Sequence, residues 1–144
     1  MSTGFICFED KYLLLKRADI DEQAETWGTP GGKLEKNESA LDAFHREIKE
    51  ETGIEISGLE IKLVGSYFAH HTKYYYKLHV YISDIISLPK IKLSPSEHSD
   101  YIWADLDSMR SYPLILGQDD IICELEKYLS RNNDQENWKT QTEK

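Results

Sequence analysis

The sequence predicts an α/β sandwich made of strands and at least two helices. Runs of aromatic and β-branched residues stand on both sides of one amphipathic segment, and a second amphipathic segment follows near the C-terminus. Such runs favour strands, whereas an apolar stripe with helical spacing favours a helix packed on a core. The chain has 144 residues, the length of one domain. We expect this domain to span residues 1–130 and a polar, disordered tail to occupy residues 131–144.

The N-terminal part predicts a hairpin followed by a loop. Phe5–Phe8 and Tyr12–Lys16 are short apolar runs that flank Glu9–Asp10, a pair typical of a turn between two strands. Asp19–Thr26 is polar and predicts a loop.

The second half of the chain predicts two strands, a short strand and a helix. Ile61–Ala69 and Lys73–Ser83 are rich in aromatic and β-branched residues, and Tyr101–Ala104 is a shorter run of the same kind. Leu106–Met109 predicts one turn of helix. Gln118–Ser130 keeps apolar residues at helical spacing and predicts a second amphipathic helix.

Three glutamates on the first predicted helix carry the functional signal. Glu47, Glu50 and Glu51 are spaced i, i+3, i+4, which places their carboxylates within an arc of roughly 100° on one face. Like charges this close repel one another unless a cation neutralises them. Mg²⁺ prefers oxygen ligands of this kind and commonly bridges to substrate phosphates. A solvated acidic face is the alternative interpretation of the same spacing.

This helix also has recognisable ends and a buried face. Asn37 or Ser39 can cap its start, and Gly53 can end it. An apolar stripe spaced i, i+3, i+7 is expected to face the core: Leu41, Phe44 and Ile48. Glu51 is the glutamate nearest to this stripe. We therefore expect Glu51 to be partly buried, which raises its proton affinity when no metal is bound.

The complete pattern around these glutamates is G-x5-E-x7-R-E-U-x-E-E-x-G-U, where U is apolar. Its positions are Gly32, Glu38, Arg46, Glu47, Ile48, Glu50, Glu51, Gly53 and Ile54. It resembles the Nudix box, the signature of the Nudix hydrolase family, and Trp27–Gly31 is similar to the family's approach to the box. The resemblance implies an α/β/α sandwich with a mixed β-sheet between helices. It also implies hydrolysis of a nucleoside diphosphate linked to another group, by water attack at phosphorus.

The resemblance implies a role for each residue of the box. Mg²⁺ or Mn²⁺ would be held by Glu47, Glu50 and Glu51 together with the carbonyl of Gly31. Gly31 and Gly32 follow Pro30 in a tight turn that brings the backbone close to a ligand. By sequence distance Arg46 can pair with Glu50 or with Glu38, and the resemblance favours a structural clasp between Glu38 and Arg46.

The general base has two candidates, and Glu50 belongs to the same catalytic group. Glu47 is one candidate if the other glutamates hold the metal. Glu97 is the second, because the pattern E-H-x4-W that it forms with His98 and Trp103 is similar to a segment that supplies a metal ligand or the base in many Nudix enzymes. An exposed loop acid is the alternative for Glu97.

Four residues are candidates for substrate contact. Arg17 ends the second predicted strand, where similar enzymes often place a substrate-binding arginine, and Lys33 lies beside the glycine turn. Strand alternation sends Tyr74 and Tyr76 to one face and Tyr75 to the other, so that one face could stack on a nucleobase. Cross-strand packing is the alternative for these tyrosines.

Composition restricts the partners. Acidic residues outnumber basic ones 26 to 17, which argues against nucleic-acid binding because phosphate contacts need many Lys and Arg side chains. Cys7 and Cys123 match no metal-site spacing and suggest free thiols in a reducing compartment. No apolar run reaches membrane-spanning length and no signal-peptide pattern is present, so we expect a cytoplasmic protein that acts on a small nucleotide and makes no membrane contact.

Two alternatives to a pyrophosphohydrolase follow from the same resemblance. One is a nucleotide-binding or regulatory Nudix module without catalysis, although such a module could dispense with the acidic residues that are all present here. The other is a nucleotide-sugar hydrolase that attacks carbon, whose relatives tend to have an altered box. The sequence leaves the oligomeric state open between monomer and homodimer.

Overall fold

The computed structural model describes residues 1–18, 23–71 and 73–142, and their side chains except those of residues 71 and 134–142. Its elements in chain order are strands β1 (Ser2–Phe8), β2 (Lys11–Arg17), β3 (Trp27–Gly28) and β4 (Gly31–Gly32), helix α1 (Ala40–Thr52), strands β5 (Ile61–His71), β6 (Tyr74–Asp84) and β7 (His98–Asp105), a 3₁₀ turn (Met109–Ser111) and helix α2 (Gln118–Thr142). Part of the predicted loop at Asp19–Thr26, residues 19–22, lies outside the described residues.

The strands of the described chain form one mixed sheet. Its main order is β3-β2-β1-β6-β5, with β4 paired to β1 and β7 paired to β2. β1 runs parallel to β6, and the other pairs are antiparallel. The predicted N-terminal hairpin is confirmed, because Cys7 pairs with Tyr12 across a turn in which Glu9 and Asp10 have φ values of 49° and 61°. Positive φ at both central residues is typical of the tight turns that suit a twisted hairpin.

Two hydrophobic cores lie on opposite faces of the sheet. Ile6 on β1 packs with Phe44 and Ile48 of α1 on one face. Its neighbour Phe5 packs with Ile122 of α2 on the other face. Successive strand residues point to opposite faces, so each central strand contributes to both cores. The predicted α/β/α sandwich with a mixed sheet between helices is therefore confirmed.

Helix α1 has the predicted ends and a slightly different buried face. The Ser39 side chain accepts a hydrogen bond from the Asp42 N–H at 3.1 Å, and Gly53 ends the helix with φ of 76°. The expectation that Leu41 is buried was wrong, because 41% of its surface is exposed. Leu41 lies in the first turn, and the buried residues of the helix begin at Ala43.

Several predicted boundaries differ from the observed ones. Strand β6 is shifted by one residue, and β5 and β7 extend beyond the predicted runs. In β7, polar residues such as His98 and Asp100 still pair with the backbone of β2. The predicted helical turn at Leu106–Met109 lies instead at Met109–Ser111.

Helix α2 also continues farther than predicted. It reaches Thr142, past the predicted end at Ser130, and its C-terminal half contains Glu, Gln and Lys, which are good helix formers. The division into residues 1–130 and a separate tail stays a prediction. In the described part of the chain, no helix is both long and apolar enough to cross a membrane.

Candidate active site

The turn before the box lies directly against strand β1. Gly31 and Gly32 pair with Thr3 and Ser2, respectively, and an added Cβ on Gly31 would lie 2.6 Å from Thr3 Cα. At Gly32 the added atom would lie 2.5 Å from the carboxyl carbon of Glu47. Glycine is therefore required at Gly31 by close approach of the β1 backbone, as the sequence predicted for this turn, whereas at Gly32 only the end of the Glu47 side chain would have to move.

Arg46 holds the loop against helix α1. Its Nε and Nη2 donate to the two carboxylate oxygens of Glu38 at 2.8 and 2.9 Å, and Nη2 also donates to the carbonyl of Lys33 at 3.0 Å. The hydrogen bonds that Glu38 accepts from Arg46 and from the N–H of Glu35 lower the pKa of Glu38 to about 2. The Glu38–Arg46 pair thus has the clasp geometry that the resemblance implied.

Arg46 also contacts two of the three helix glutamates. Its Nη1 donates to Glu47 Oε1 at 2.9 Å and to Glu50 Oε2 at 3.3 Å. The Glu47 side chain is 14% exposed, whereas that of Glu50 is 57% exposed. Both pairings that the sequence allowed for Arg46 therefore occur together, and Glu50 lies at the outer edge of the group.

Glu51 is the buried member of the acidic group, with 5% of its surface exposed. Its Oε2 accepts the N–H of Gly31 at 3.3 Å. Burial, a hydrogen bond with Glu47 and the charges of Glu47 and Glu97 raise its pKa to about 9 from the usual 4.5. The predicted burial and raised proton affinity of Glu51 are confirmed.

A cavity of about 600 Å³ joins these residues to the segment that precedes β7. Its walls are Met1, Arg17, Ala18, Thr29, Gly31, Gly32, Lys33, Glu47, Glu51, Ser96, Glu97 and His98. We call it the phosphate-side cavity. It brings Glu97 together with Glu47 and Glu51, which lie far from Glu97 in sequence, whereas Glu50 is not among its walls.

The donor chemistry of this cavity fits a hard divalent cation. Buried carboxylates close enough to raise the pKa of one member to about 9 gain from any cation that replaces the shared proton. Carboxylate and backbone carbonyl oxygens are also the ligands that Mg²⁺ prefers. Among the residues that the structure describes, no three His, Cys, Asp or Glu side chains already stand as a metal-binding group.

His98 lies on the wall of this cavity beside Glu97. Burial and the charge of Arg17 lower its pKa to about 4, so the imidazole is neutral at pH 7. A neutral ring next to Arg17 keeps a second positive charge off this wall. Sequence analysis did not assign His98 to the site, and the pairing of His98 with Arg17 across β2 and β7 brings it there.

A second cavity of about 810 Å³ adjoins the first and shares Met1, Arg17 and Lys33 with it. We call it the aromatic cavity. Its remaining walls come from Gln23 between β2 and β3, from β5, β6 and α2, and from the residues before α2: Tyr67, Phe68, Ala69, His70, Tyr74, Tyr76, Leu78, Ile115, Leu116, Gly117, Asp120, Ile121, Cys123, Glu124 and Lys127. Tyr74 and Tyr76 thus share a cavity, and their ring centroids are 6.0 Å apart.

Tyr75 points away from this cavity, as strand alternation predicted. It is 73% exposed and packs on His70, with ring centroids 4.5 Å apart. The α2 residues of the aromatic cavity were missed by sequence analysis, because no motif marks Asp120 or Glu124. Thr29 was also missed, although its position two residues before Gly31 could have suggested it.

Comparison with known proteins agrees with this geometry. The NUDIX domain family model matches residues 1–125. The chain belongs to the Nudix hydrolase family. It is 32% identical to the CTP pyrophosphohydrolase of Escherichia coli over 108 residues. This match covers 74% of this chain and 75% of that protein.

Two further relatives are similar over most of the chain. An uncharacterised Nudix hydrolase of Bacillus subtilis, YvcI, is 30% identical over 117 residues, covering 79% of this chain and 70% of that protein. The crystal structure of a MutT NUDIX hydrolase from Burkholderia pseudomallei superposes with a TM-score of 0.73 and 27% identity, covering 85% and 94% of the two chains. This Nudix hydrolase is therefore an enzyme whose named relatives include a pyrophosphohydrolase.

Proposed function

We propose that this enzyme is a Mg²⁺-dependent pyrophosphohydrolase that cleaves a nucleoside diphosphate linked to another group, by water attack at phosphorus. The observation that carries the proposal is the convergence of Glu47, Glu51 and Glu97 on one cavity beside the turn at Gly31. Negative charge on the phosphoryl oxygens slows attack by water at phosphorus. A site that binds cations beside the phosphates therefore favours this reaction.

Glu47, Glu51 and the carbonyl of Gly31 are the groups that would hold Mg²⁺ or Mn²⁺, and Glu97 lines the same cavity. The bound ion would neutralise phosphate charge and lower the pKa of the attacking water. Glu50 would have to turn from Arg46 towards the cavity to join them, and we retain it as an outer member of the group.

We assign the general base to Glu97 in preference to Glu47. Glu47 Oε1 already accepts a charge-assisted hydrogen bond from Arg46 at 2.9 Å, so this oxygen is occupied by Arg46 rather than directed at a water molecule. Glu97 comes from the segment that precedes β7, and its backbone is fixed by the bond from the Ala18 N–H to its carbonyl at 3.0 Å. In this arrangement Arg17 and Lys33 bind the substrate phosphates, and Glu97 accepts the proton of the water.

The substrate would span both cavities. Arg17 and Lys33 lie where the cavities meet, so their charges suit the phosphates. The nucleoside would lie in the aromatic cavity, where Tyr74 and Tyr76 offer faces for a base. The identity of the group beyond the diphosphate is left to experiment. The free thiols of Cys7 and Cys123 support the cytoplasmic location that we propose.

A substrate panel tests the proposal. The protein is incubated with nucleoside triphosphates, dinucleoside polyphosphates, ADP-ribose and nucleotide sugars, first with Mg²⁺ and then with EDTA. We expect release of a mononucleotide that stops in EDTA. Binding without turnover of any substrate would instead indicate a non-catalytic module, and release of a free sugar with an intact nucleoside diphosphate would indicate attack at carbon.

One variant tests the assignment of the base. Glu97→Gln keeps the shape of the side chain but cannot accept the proton, so we expect kcat to fall at least about a hundredfold near neutral pH. A fall of less than about threefold would exclude Glu97 and return the role to Glu47.

A further inference from the structure

Gln118, the first residue of α2, is a long polar side chain with only 2% of its surface exposed. A buried amide is unfavourable unless it forms hydrogen bonds. Its Oε1 accepts two from Thr29, one from the backbone N–H at 3.1 Å and one from Oγ1 at 3.2 Å. Its Nε2 has no hydrogen-bond partner in the described part of the chain. The hydrogen bonds of this buried side chain in the described part of the chain are therefore made with Thr29.

Thr29 passes this contact on to the glycine turn. Its Oγ1 lies 2.7 Å from Thr3 Oγ1, and the Thr3 hydroxyl lies 2.8 Å from the carbonyl of Pro30. The next residue, Gly31, donates its N–H to Glu51. Close polar contacts thus run from the start of α2 to the buried carboxylate of the phosphate-side cavity, and the single proton of the Thr29 hydroxyl goes either to Gln118 or to Thr3.

Backbone contacts hold the same two segments together. The Trp27 N–H donates to the carbonyl of Pro113 at 2.8 Å, and the Ile115 N–H donates to the carbonyl of Trp27 at 2.9 Å. An added Cβ on Gly28 would lie 2.7 Å from Ile115 Cγ2 and 3.3 Å from Gln118 Oε1. The segment before α2 therefore packs tightly against the approach to the box, and Gln118 supplies its side-chain bonds.

We propose that Gln118 is a positioning residue for hydrolysis, which holds Thr29 and thereby fixes the Gly31 turn against Glu51. This inference rests on the proposed function and adds a residue from outside the box and outside both cavity walls. Small displacements of groups that orient reactants lower rates by large factors. Gln118 should therefore act on kcat and leave the affinity for the nucleoside unchanged.

Two substitutions of similar size separate positioning from simple packing. Gln118→Met fills the same space without the acceptor oxygen, and Gln118→Glu keeps an acceptor and is expected to be buried in its neutral form. Ile122→Val is the matched control. Ile122 is a fully buried residue of the same helix, so the substitution weakens the packing of α2 but leaves the hydrogen bonds between Gln118 and Thr29 in place.

We expect Gln118→Met to lower kcat about tenfold or more, with KM within about twofold of the parent value. Gln118→Glu should keep kcat within about threefold, and Ile122→Val within about twofold. Unchanged kcat in Gln118→Met would overturn the proposal. So would an equal loss in the Met and Glu variants, because that loss would follow from the amide group or from packing.

Amide hydrogen exchange of the metal-free protein provides a readout without turnover. We expect the Gly31 N–H to exchange at least about tenfold faster in Gln118→Met, with the amides of α1 unchanged, and no such local change in Ile122→Val. Faster exchange across the whole sheet, or none at Gly31, would overturn the positioning role. If the unmodified protein hydrolyses no nucleotide, the proposed function fails, and this exchange measurement still decides whether Gln118 orders the turn.

Discussion

The two cavities differ in how the sequence encodes them. The phosphate-side cavity takes Gly31, Gly32, Lys33, Glu47 and Glu51 from one short stretch of chain. The aromatic cavity takes Tyr67 and Tyr76 from a hairpin and Asp120 and Glu124 from α2, many residues later. The proposed metal ligands are local in sequence, whereas the proposed base Glu97 and the substrate contacts are brought to the site by tertiary packing.

This difference divides the expected effects of substitution. Changes at the phosphate-side cavity should lower kcat, because they disturb groups that act at the reacting phosphorus. Changes at the aromatic cavity should raise KM, because they remove contacts that are equally strong before and during reaction. The following predictions test that division, beginning with the largest effect.

Glu51→Gln should lower kcat at least about a hundredfold with little loss of fold. The substitution removes a buried charge from the proposed metal group, and preorganised charge is a large catalytic factor. Steady-state kinetics in Mg²⁺ and a thermal unfolding curve measure both outcomes. Glu55→Gln is the matched control, because Glu55 lies just after the same helix and pairs with Lys49 at the surface. Near-normal turnover in Glu51→Gln would contradict the ligand assignment.

Tyr76→Ala should raise KM about tenfold and leave kcat within about twofold, because a base stacked on an aromatic ring gains about 1–3 kcal/mol. Kinetics on the preferred nucleotide measure the change. Tyr75→Ala is the matched control, since Tyr75 is the adjacent residue on the opposite face and is 73% exposed. Equal changes in the two variants would place the nucleobase elsewhere.

Arg46→Lys should lower kcat about fivefold, an order-of-magnitude figure for loss of a positioning contact. Lysine keeps the charge but cannot form the forked bond to Glu38 while also reaching Glu47. Arg110→Lys is the control, because Arg110 binds Asp119 and Glu126 on α2 and lines neither cavity. A change in KM alone would show that Arg46 contacts substrate.

The last prediction concerns the pH dependence of stability rather than turnover. The pKa of Glu51 is raised to about 9, so the folded protein keeps a proton that the unfolded chain releases near 4.5. The stabilisation from this proton is complete below pH 4.5 and is lost as the pH rises to about 9. The free energy of unfolding in EDTA, measured by urea titration, should therefore fall over this range less steeply in Glu51→Gln than in the parent protein.

Much of the fold and of the phosphate-side cavity could be predicted from sequence because the deciding features are periodic or local. Helix α1 is defined by Ser39, its buried face and Gly53, and its glutamates share one arc. The pairing of Glu50 with Arg46 instead of the cavity could not be predicted, because the position of Glu50 on the helix suits a metal ligand and an ion pair with Arg46 equally well. The role of Gln118 depends on contact with a residue far away in sequence, for which no periodic signal exists.

The alternation of Phe5 and Ile6 across β1 has a consequence for engineering. Each face of the sheet has its own hydrophobic core. Libraries of variants confined to the α2 side can therefore vary substrate preference while the core that supports α1 and its glutamates stays unchanged. Gln118 should not be varied in such a library, because it lies on α2 but its side chain binds Thr29 beside the glycine turn.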